Sequence, residues 1–362
     1  MTSVRREKRP TSSDVARLAG VSCTTVSFVL NEVHTEGIPE ETQARVRAAV
    51  AQLDYHPHEG ARTLGRRASR VIGVALPTAN NPHYLDIAAG IDAYAERHGY
   101  SVAWLVTNFD IRRERRCLEW LKQQRIDALI VSSLPRAALL ADLRGLLAHG
   151  YLVTALGFSD DSMDSVSPAR TVGERLILQH LVSHGHRHIG YIYGVIDQEA
   201  DRFRLDACLA LHHEFGIPIV ETWIRRCGSS LDDTYRATHA LLQTCAAGTD
   251  RPTALVVAND YLAMGVLAAL HEAGVTVPAA MTVASFDNTL LARYTVPPLT
   301  TVDYDARSMG EQAARLVIER LADPQRPQMH LETPVHVVVR HSTGPVPAAL
   351  PVPDVVEKEV RL

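Results

Sequence analysis

Short apolar runs alternate with amphipathic helical stretches along the chain from residue 71 to about residue 340. Runs such as VIGVAL at 71–76 and ALVV at 254–257 contain no charged residue, which is typical of strands buried on both faces of a parallel sheet. The number of runs favours two doubly wound lobes over one large sheet. Because ligands of such sheets bind at the carboxyl ends of the strands, we expect a binding site there.

The same pattern places the individual elements. Strands are predicted at 71–76, 101–106, 127–131, 152–155, 189–193, 219–224, 254–257, 281–285 and 335–339. Helices between them are predicted, for instance, at 111–124, 174–184, 232–246 and 306–321. A Pro-rich tail follows Arg340, and we expect it to be a loose extension.

The segment TSSDVARLAGVSCTTVSFVLN, residues 11–31, predicts two short helices around a tight turn. Gly20 can take the positive φ that ends the first helix, and Ser22 is placed to cap the second. A third helix is predicted within 39–55, because four apolar residues repeat there at helical spacing: Val46, Ala49, Val50 and Leu53.

The second of these helices has an outward face of mostly short side chains. They are Cys23, Thr24, Thr25, Ser27 and Phe28. Short side chains at a helix start are suited to insertion into a major groove of DNA. A helical hairpin with no role in nucleic-acid binding is the alternative, and basic residues on either side of residues 11–55 argue against it.

Charge is divided unevenly along the chain. Residues 1–70 carry 11 Lys and Arg against 8 Asp and Glu, a net charge of +3. The whole chain of 362 residues has a net charge of −4, which leaves −7 for the remainder. A basic head on an acidic body fits a head that contacts phosphate and a body that does not.

Composition excludes several other classes of protein. The five cysteines form no CxxC pair, so neither a zinc site nor a disulfide framework is predicted. The start, Met1 to Pro10, is basic and lacks the apolar stretch of a secretory signal. No run of about 18 apolar residues occurs in the sequence. We therefore expect a cytoplasmic protein of two or three domains.

An ordered set of motifs resembles the lactose-repressor (LacI/GalR) family. It begins with VARLAGVSCTTVSFVLN and PEETQARVRAAVAQLDYHP. It continues through ARTL, VIGV, NPHY, GHRHIGYI, ANDYLAMG, FDN and PPLTTV, from Thr11 to about Arg340. Each motif alone is weak, whereas the whole set at matching separations is specific.

The resemblance assigns DNA contacts within the head. The residues implied to read bases are Cys23, Thr24 and Phe28, with Thr25 and Ser27 nearer the phosphates. The residues implied to hold the sugar-phosphate backbone are Thr11, Asn31 and Tyr55. Phe28 stands where the family usually has Arg, and a phenyl ring cannot donate hydrogen bonds but can pack on a thymine methyl. We therefore expect this operator position to favour A·T over G·C.

The resemblance also gives a role to PHEGARTLGRR, Pro57 to Arg67. In the family this segment folds on the operator, where two copies pair in the minor groove. By matching position, Leu64 wedges into the central base step, Ala61 allows close pairing and Arg62 lies near a phosphate. A flexible linker is the alternative. Gly60 departs from the family pattern and disfavours a helix by about 1 kcal/mol, so we expect a hinge that melts easily.

Effector contacts are implied on both lobes. On the first lobe they are Asn81, His83 and Tyr84, and on the second they are Arg204, Asn259 and Asp287. Arg202 is an alternative to Arg204. Carboxylate, amide and imidazole groups beside an aromatic ring suit a sugar or another polar ring. The histidines of GHRHIG could be proposed as metal ligands, but the spacing matches a family loop that enters a strand.

These inferences give the predicted fold class: an all-α helix-turn-helix head and an α/β sensor of two doubly wound parallel-sheet lobes, like periplasmic binding proteins. The predicted domains are a DNA-binding domain at 1–56, a hinge at 57–70, an effector-binding and dimerisation domain at 71–342 and a tail at 343–362. The first lobe is predicted at 71–168 and 290–322, and the second at 169–289 and 323–342.

The expected function is transcriptional repression of target genes through DNA binding, switched by a small polar effector for which a sugar or sugar derivative is favoured. The expected partners are a near-palindromic duplex, the effector and a second copy of the chain, with no cofactor, metal or membrane. A corepressor-dependent regulator with a nucleobase effector is one alternative, and a cytosolic binding protein of the same fold is another. An enzyme is disfavoured, because neither a phosphate-binding loop nor a catalytic motif is present.

Overall fold

The computed structural model describes residues 10–31, 35–55, 69–123, 125–132, 137–194, 209–246 and 251–347. The chain divides into two compact units, Met1–Ser69 and Arg70–Leu362. We call the first unit the head and the second the body.

The described part of the head contains three α-helices: α1 at Ser12–Ala19, α2 at Cys23–Asn31 and α3 at Glu40–Gln52. A short 3-10 helix at Thr35–Gly37 precedes α3. Gly20 ends α1 with φ of 65°, as expected, and its N–H donates to carbonyl oxygens of the last turn. Ser22 caps α2, because its Oγ accepts the N–H of Thr25 at 3.1 Å.

Helix α3 begins one residue later than Pro39, which occupies the capping position without any side-chain cap. The first turn of α3 instead has Glu40 and Glu41, whose charges favour a helix start. The three helices share one small core, formed by Val15, Ala16, Ala19, Val26, Val29, Val46, Ala49 and Tyr55. Of the four apolar residues that helical spacing marks in α3, Val46 and Ala49 belong to this core and Val50 and Leu53 pack against it.

The body contains two six-stranded sheets within the described residues. Sheet A has the strand order β11-β5-β4-β3-β1-β2, and all its pairs are parallel. Its strands are β1 Val71–Leu76, β2 Ser101–Val106, β3 Ala128–Val131, β4 Val153–Leu156, β5 Asp164–Pro168 and β11 His330–Thr333.

Sheet B has the order β12-β10-β9-β8-β6-β7, and it is parallel except for β12, which runs antiparallel to β10. Its strands are β6 Ile189–Gly194, β7 Ile224–Cys227, β8 Ala254–Val257, β9 Thr282–Asp287, β10 Thr300–Asp303 and β12 His336–Val338. A 3-10 helix, Glu221–Trp223, precedes β7.

Helices join most of the successive strands, as crossovers between parallel strands usually do, whereas residues 157–163 join β4 to β5 without a helix. The helices are α4 Pro82–Arg97, α5 Ile111–Lys122, α6 Ala137–Ala148, α7 Arg170–Ser183, α8 Leu231–Ala246, α9 Asp260–Glu272, α10 Leu290–Tyr294 and α11 Ala306–Ala322. Helices α4 and α11 cross closely at two glycines, Gly90 and Gly310, where a Cβ would collide with the carbonyl oxygen of the other helix. None of the described helices is long and apolar enough to cross a membrane.

The predicted elements differ from the structure at the least apolar strands. The strand predicted at 219–224 is a 3-10 turn followed by β7, and β5, β10 and β11 were not predicted. The sequences of those three strands, DSVSP, TTVD and HLET, contain few apolar residues. Polar side chains of these strands have partners far away in sequence, such as Arg320 for Asp164 in β5, Asp260 for Thr301 in β10 and Ser165 for His330 in β11. No periodicity reveals such partners.

The predicted lobe boundaries are also wrong in two places. Strand β10 lies in sheet B, so residues 290–303 belong with the second lobe and not the first. Strand β11 lies in sheet A, so residues up to Thr333 belong with the first lobe and not the second. The reason is that α11 packs on β3, β4 and β5, and the chain re-enters sheet A directly after it.

The tail begins later than predicted. Val346 N donates to the His184 carbonyl oxygen at 3.0 Å, and the His186 Nε2 atom lies 3.0 Å from the Gly344 carbonyl oxygen. His180 contacts Thr343 Oγ1 at 2.9 Å in the same way. Burial lowers the pKa of His180 and of His186, so the neutral ring is favoured at both. Residues 343–346 are therefore packed against the second lobe.

Candidate functional site

The solvent side of α2 is uncharged. Its sequence, CTTVSFVLN, contains no ionisable side chain except the thiol. Cys23, Thr24 and Ser27 are exposed, whereas Thr25 and Phe28 are half-buried. Thr25 Oγ1 lies 2.9 Å from Ser22 Oγ, so this hydroxyl contributes to the helix start. The exposed face therefore offers small hydroxyl, thiol and phenyl groups to a partner, as the sequence predicts.

The residues predicted to hold the DNA backbone lie in different environments. Thr11 precedes α1, and both its N–H and its hydroxyl donate to the Asp14 carboxylate, at 2.9 and 2.6 Å. Tyr55 is only 7% exposed, because its ring completes the core of the head. Asn31 is the last residue of α2. The segment with Ala61, Arg62 and Leu64 lies outside the described residues.

The body has a cavity of about 960 Å³ that both sheets line with residues at their strand ends. On sheet A, lining residues follow β1, β2, β3, β4 and β5, and on sheet B they follow β6, β7, β8, β9 and β10. The predicted effector residues among them are Asn81, His83, Tyr84, Asn259 and Asp287. Arg204 and its alternative Arg202 lie outside the described residues.

Asn81 connects the two lobes across this cavity. Its Nδ2 donates to Asp287 Oδ2 at 3.0 Å, and its Oδ1 accepts the N–H of His83 at 3.1 Å and so caps α4. His83 Nδ1 lies 3.6 Å from Asp287 Oδ1. One carboxylate of the second lobe is thus approached by an amide and an imidazole of the first.

Asp287 has an unusual backbone conformation with φ of 102°, and Asn288 follows with φ of 52°. Such angles are unfavourable for residues other than Gly and persist where the surroundings enforce them. Asn288 Nδ2 donates to Asp303 Oδ2 at 2.7 Å, and Arg340 donates to Asn288 Oδ1 at 2.6 Å. These bonds hold the strained turn that presents Asp287 to the cavity.

Asp260 is fully buried and holds the same turn through hydrogen bonds. Its Oδ1 accepts hydrogen bonds from Ser285 Oγ at 2.6 Å and Thr301 Oγ1 at 2.7 Å. Its Oδ2 accepts from Thr289 N at 2.6 Å and from Thr289 Oγ1 at 3.0 Å. Burial, and next the negative charge of Asp287, raise the pKa of Asp260 to about 7. This carboxyl group ties β9, β10 and the loop between them together.

The sequence missed several residues that line the cavity. Asn108 and Phe109 follow β2 with φ of 50° and 58°, and Arg170 begins α7 where the chain leaves sheet A. The Arg170 guanidinium lies 5.7 Å from the centre of the Tyr304 ring and donates to the Gly157 carbonyl oxygen at 3.1 Å. All three residues lie just after the end of a strand. Sequence reasoning can find such residues only after each strand has been located.

Comparisons with known proteins agree on one family. Residues 11–58 match the model of bacterial regulatory proteins of the lacI family, and residues 178–343 match that of a periplasmic binding protein-like domain. The HTH-type transcriptional repressor PurR of Photobacterium profundum is 31% identical over 336 residues, which cover 92% of this chain and 98% of that protein. The chain belongs to the LacI family. It is a DNA-binding transcriptional repressor and not an enzyme.

Solved structures of LacI-family regulators share the fold of this member. A lac repressor dimer bound to operator and the anti-inducer ONPF is 28% identical, with a TM-score of 0.78, and covers 93% of this chain and 100% of that chain. A complex of the transcriptional regulator CelR with cellobiose is 26% identical, with a TM-score of 0.67, and covers 92% and 100%. Both the family and the two-lobed fold expected from the sequence are confirmed.

Two histidines of GHRHIG contact other side chains of this LacI-family chain. His186 Nδ1 lies 2.8 Å from Thr253 Oγ1, and its other ring nitrogen faces Gly344 as described above. His188 packs against the Trp223 ring with 5.1 Å between ring centres. In the described part of the chain, no group of three or more His, Cys, Asp or Glu side chains is arranged to hold a metal ion.

Proposed function

We propose that this repressor binds a near-palindromic operator as a homodimer and that a small polar molecule in the cavity of the body switches its operator affinity. The observation that carries the proposal is the hydrogen bond from Asn81 of the first lobe to Asp287 of the second. A ligand that reaches this pair contacts both lobes at once. Such a ligand can change their relative angle if it favours one arrangement over another.

The head contacts DNA in this proposal through the exposed side of α2. Cys23, Thr24 and Phe28 read bases in the major groove, and the absence of acidic side chains from α2 avoids repulsion of phosphate. Thr25, Ser27, Thr11, Asn31 and Tyr55 lie nearer the sugar-phosphate backbone. Tyr55 contributes through the 7% of its surface that is exposed.

Hinge pairing completes the DNA contact in the proposal. Ala61, Arg62 and Leu64 fall within residues 57–70, which follow the three helices of the head in sequence and precede β1. Effector binding alters the spacing of two such segments in a dimer and so favours or opposes their folding on the operator. Since Gly60 weakens a helix, we expect operator affinity to fall steeply with temperature, and Gly60→Ala to reduce this dependence.

A sugar or sugar derivative is the favoured effector. Hydroxyl and amide side chains without charge line much of the cavity, among them Asn80, Asn108, Ser132, Ser159, Ser229 and Ser230. Such groups can pair with many ligand hydroxyls, and the Asp287 carboxylate can accept from two of them. The similarity to CelR, which was solved with cellobiose, supports this class.

A nucleobase is the second candidate. The 31% identity to repressors named PurR favours it. Tyr84, Phe109 and Phe158 line the cavity and provide aromatic rings on which a planar base can stack. Asp287 and Asn259 can then accept hydrogen bonds from its ring N–H and amino groups, so the same residues serve either class.

A ligand screen tests the proposal. Cellobiose, other sugars and the nucleobases are added to the purified protein, and the melting temperature is recorded. A true effector at about 100 times its Kd raises the melting temperature by roughly 5 °C. The shift must vanish in Asp287→Ala. The effect of that ligand on DNA affinity then shows whether it is an inducer or a corepressor. If neither class shifts the wild type, the proposed effector is wrong.

A further inference from the structure

Two side chains of the opposite lobe approach Asp287. Its side chain is 8% exposed, and its two oxygens lie 3.0 Å from Asn81 Nδ2 and 3.6 Å from His83 Nδ1. Asn81 is 6% exposed, and the His83 side chain 12%. All three residues line the cavity. The carboxylate that faces the ligand space is therefore screened from water by groups of the opposite lobe.

Two features indicate that this contact is more than packing. A buried carboxylate requires hydrogen-bond donors, and the Asn81 amide supplies one from a residue 206 positions away. His83 Nδ1 is buried and has no hydrogen-bond partner within the described residues, because 3.6 Å is too long for a bond to Asp287. Asp287 therefore has a hydrogen-bond donor in Asn81, whereas His83 Nδ1 has no hydrogen-bond partner within the described residues.

We propose that Asn81 forms a latch that occupies Asp287 and holds the two lobes together, so that an effector must replace the Asn81 donor with donors of its own. Asn81 thus occupies the hydrogen-bonding position beside Asp287 that a donor group of the ligand would take. It acts as a specificity-determining residue, because a molecule without adjacent O–H or N–H groups would leave the Asp287 carboxylate buried and unpaired.

The latch also explains which ligand groups the site rejects. A carboxylate or phosphate next to Asp287 would meet a second negative charge and remove the Asn81 donor without replacement. A ligand with a donor for Asp287 and a further polar atom for His83 Nδ1 gains both partners. Polyols and nucleobases meet this requirement, whereas simple organic acids do not. This part rests on the proposed function, whereas the latch itself depends only on the bond between Asn81 and Asp287.

The test uses the full-length empty protein and the variant Asn81→Asp. Aspartate keeps the Oδ atom that caps α4 but replaces the donor by a second carboxylate opposite Asp287. Amide hydrogen exchange is measured by mass spectrometry in the peptides that contain residues 80–84 and 286–289. We expect exchange about threefold to tenfold faster in both peptides, which lie on different lobes, because the lost bond favours separation of the lobes.

Two further variants separate a latch from a general effect of charge. Ala79→Asp adds the same charge two residues away, at an exposed side chain that does not line the cavity, and is expected to leave exchange at 286–289 near the wild-type rate. The double variant Asn81→Asp/Asp287→Asn reverses donor and acceptor, and Asn tolerates the positive φ at position 287. It is expected to restore slow exchange in both peptides.

The inference is overturned if Asn81→Asp leaves exchange at 286–289 unchanged, if Ala79→Asp accelerates it equally, or if the double variant fails to restore it. Cellobiose and guanine serve as ligand probes on the wild type in parallel. If neither binds while the exchange results hold, the effector class is wrong and the latch stands. If one of these ligands binds but Asn81→Asp does not change exchange at 286–289, the effector class stands and the latch is wrong.

Discussion

The exposed face of α2 and the cavity of the body use their residues in different ways. On α2, Cys23, Thr24 and Ser27 face solvent, while Val26 and Val29 on the opposite side build the core. In the cavity one side chain has several tasks: Asn81 caps α4, bridges the lobes and faces the ligand space.

This difference determines how each region responds to substitution. On α2 the residues proposed to read DNA lie outside the core of the head, so we expect recognition to change with little loss of stability. In the cavity, the residues proposed to bind the effector also take part in the hydrogen bonds that set the shape of the site. Changes there are expected to alter stability and ligand binding together.

The largest expected effect is that of Asp260→Ala. It leaves the buried Thr289 N–H and three hydroxyl groups without their acceptor, so we expect the free energy of unfolding of the body to fall by about 3 kcal/mol. Urea denaturation checks this value. Asp260→Asn is the matched control with a loss of about 1 kcal/mol, because its carbonyl oxygen can accept from Thr289 N and the hydroxyls of Ser285 and Thr301 can accept from its amide. Equal losses in both variants would contradict this view of Asp260.

Asp260 also makes the stability of the body depend on pH. The pKa of Asp260 is raised by burial to about 7, against about 4 in an unfolded chain. The folded state therefore binds a proton more tightly, and the resulting stabilisation is complete below pH 4 and is lost as pH rises through 7. The stability advantage of the wild type over Asp260→Asn should shrink from pH 5 to pH 8. An advantage that is constant or grows over this range would refute the assignment.

Asn81→Ala should have a smaller effect, because it removes a helix cap worth about 1 kcal/mol and a hydrogen bond worth about 1 kcal/mol. Asn259→Ala is the matched control. Asn259 caps α9 through the Leu262 N–H at 2.8 Å, within its own lobe. We expect Asn81→Ala to lower the free energy of unfolding by about 1 kcal/mol more than Asn259→Ala. Equal losses would mean that the contact with Asp287 adds no stability.

The smallest effect on stability is expected for Phe28→Ala, about 1 kcal/mol or less, because the ring is only half-buried. Its effect on recognition should be clear: selection from random duplexes loses a preference for A·T at one operator position, with about 1 kcal/mol of affinity. Thr24→Ala is the control and should alter another position. A fixed guanine that disappears in Phe28→Ala would contradict the proposed thymine contact.

The same comparison explains what could be predicted from the sequence. The helix-turn-helix depends on local contacts: Gly20 ends α1, Ser22 caps α2 three residues before its partner, and apolar spacing marks the core. The effector residues could be named only through family motifs. Their arrangement could not be predicted, since the Asn81–Asp287 bond joins residues far apart in sequence. Strands β5, β10 and β11 were missed for a similar reason, since their polar residues are stabilised by distant partners.

We propose that the head supplies sequence-specific DNA binding. Nuclease protection of a duplex selected from random DNA by the full-length protein tests this role. We predict that the intact chain protects a near-palindromic site and that a chain lacking its first 64 residues protects nothing at the same concentration. Protection of the same site by the shortened chain would contradict the account.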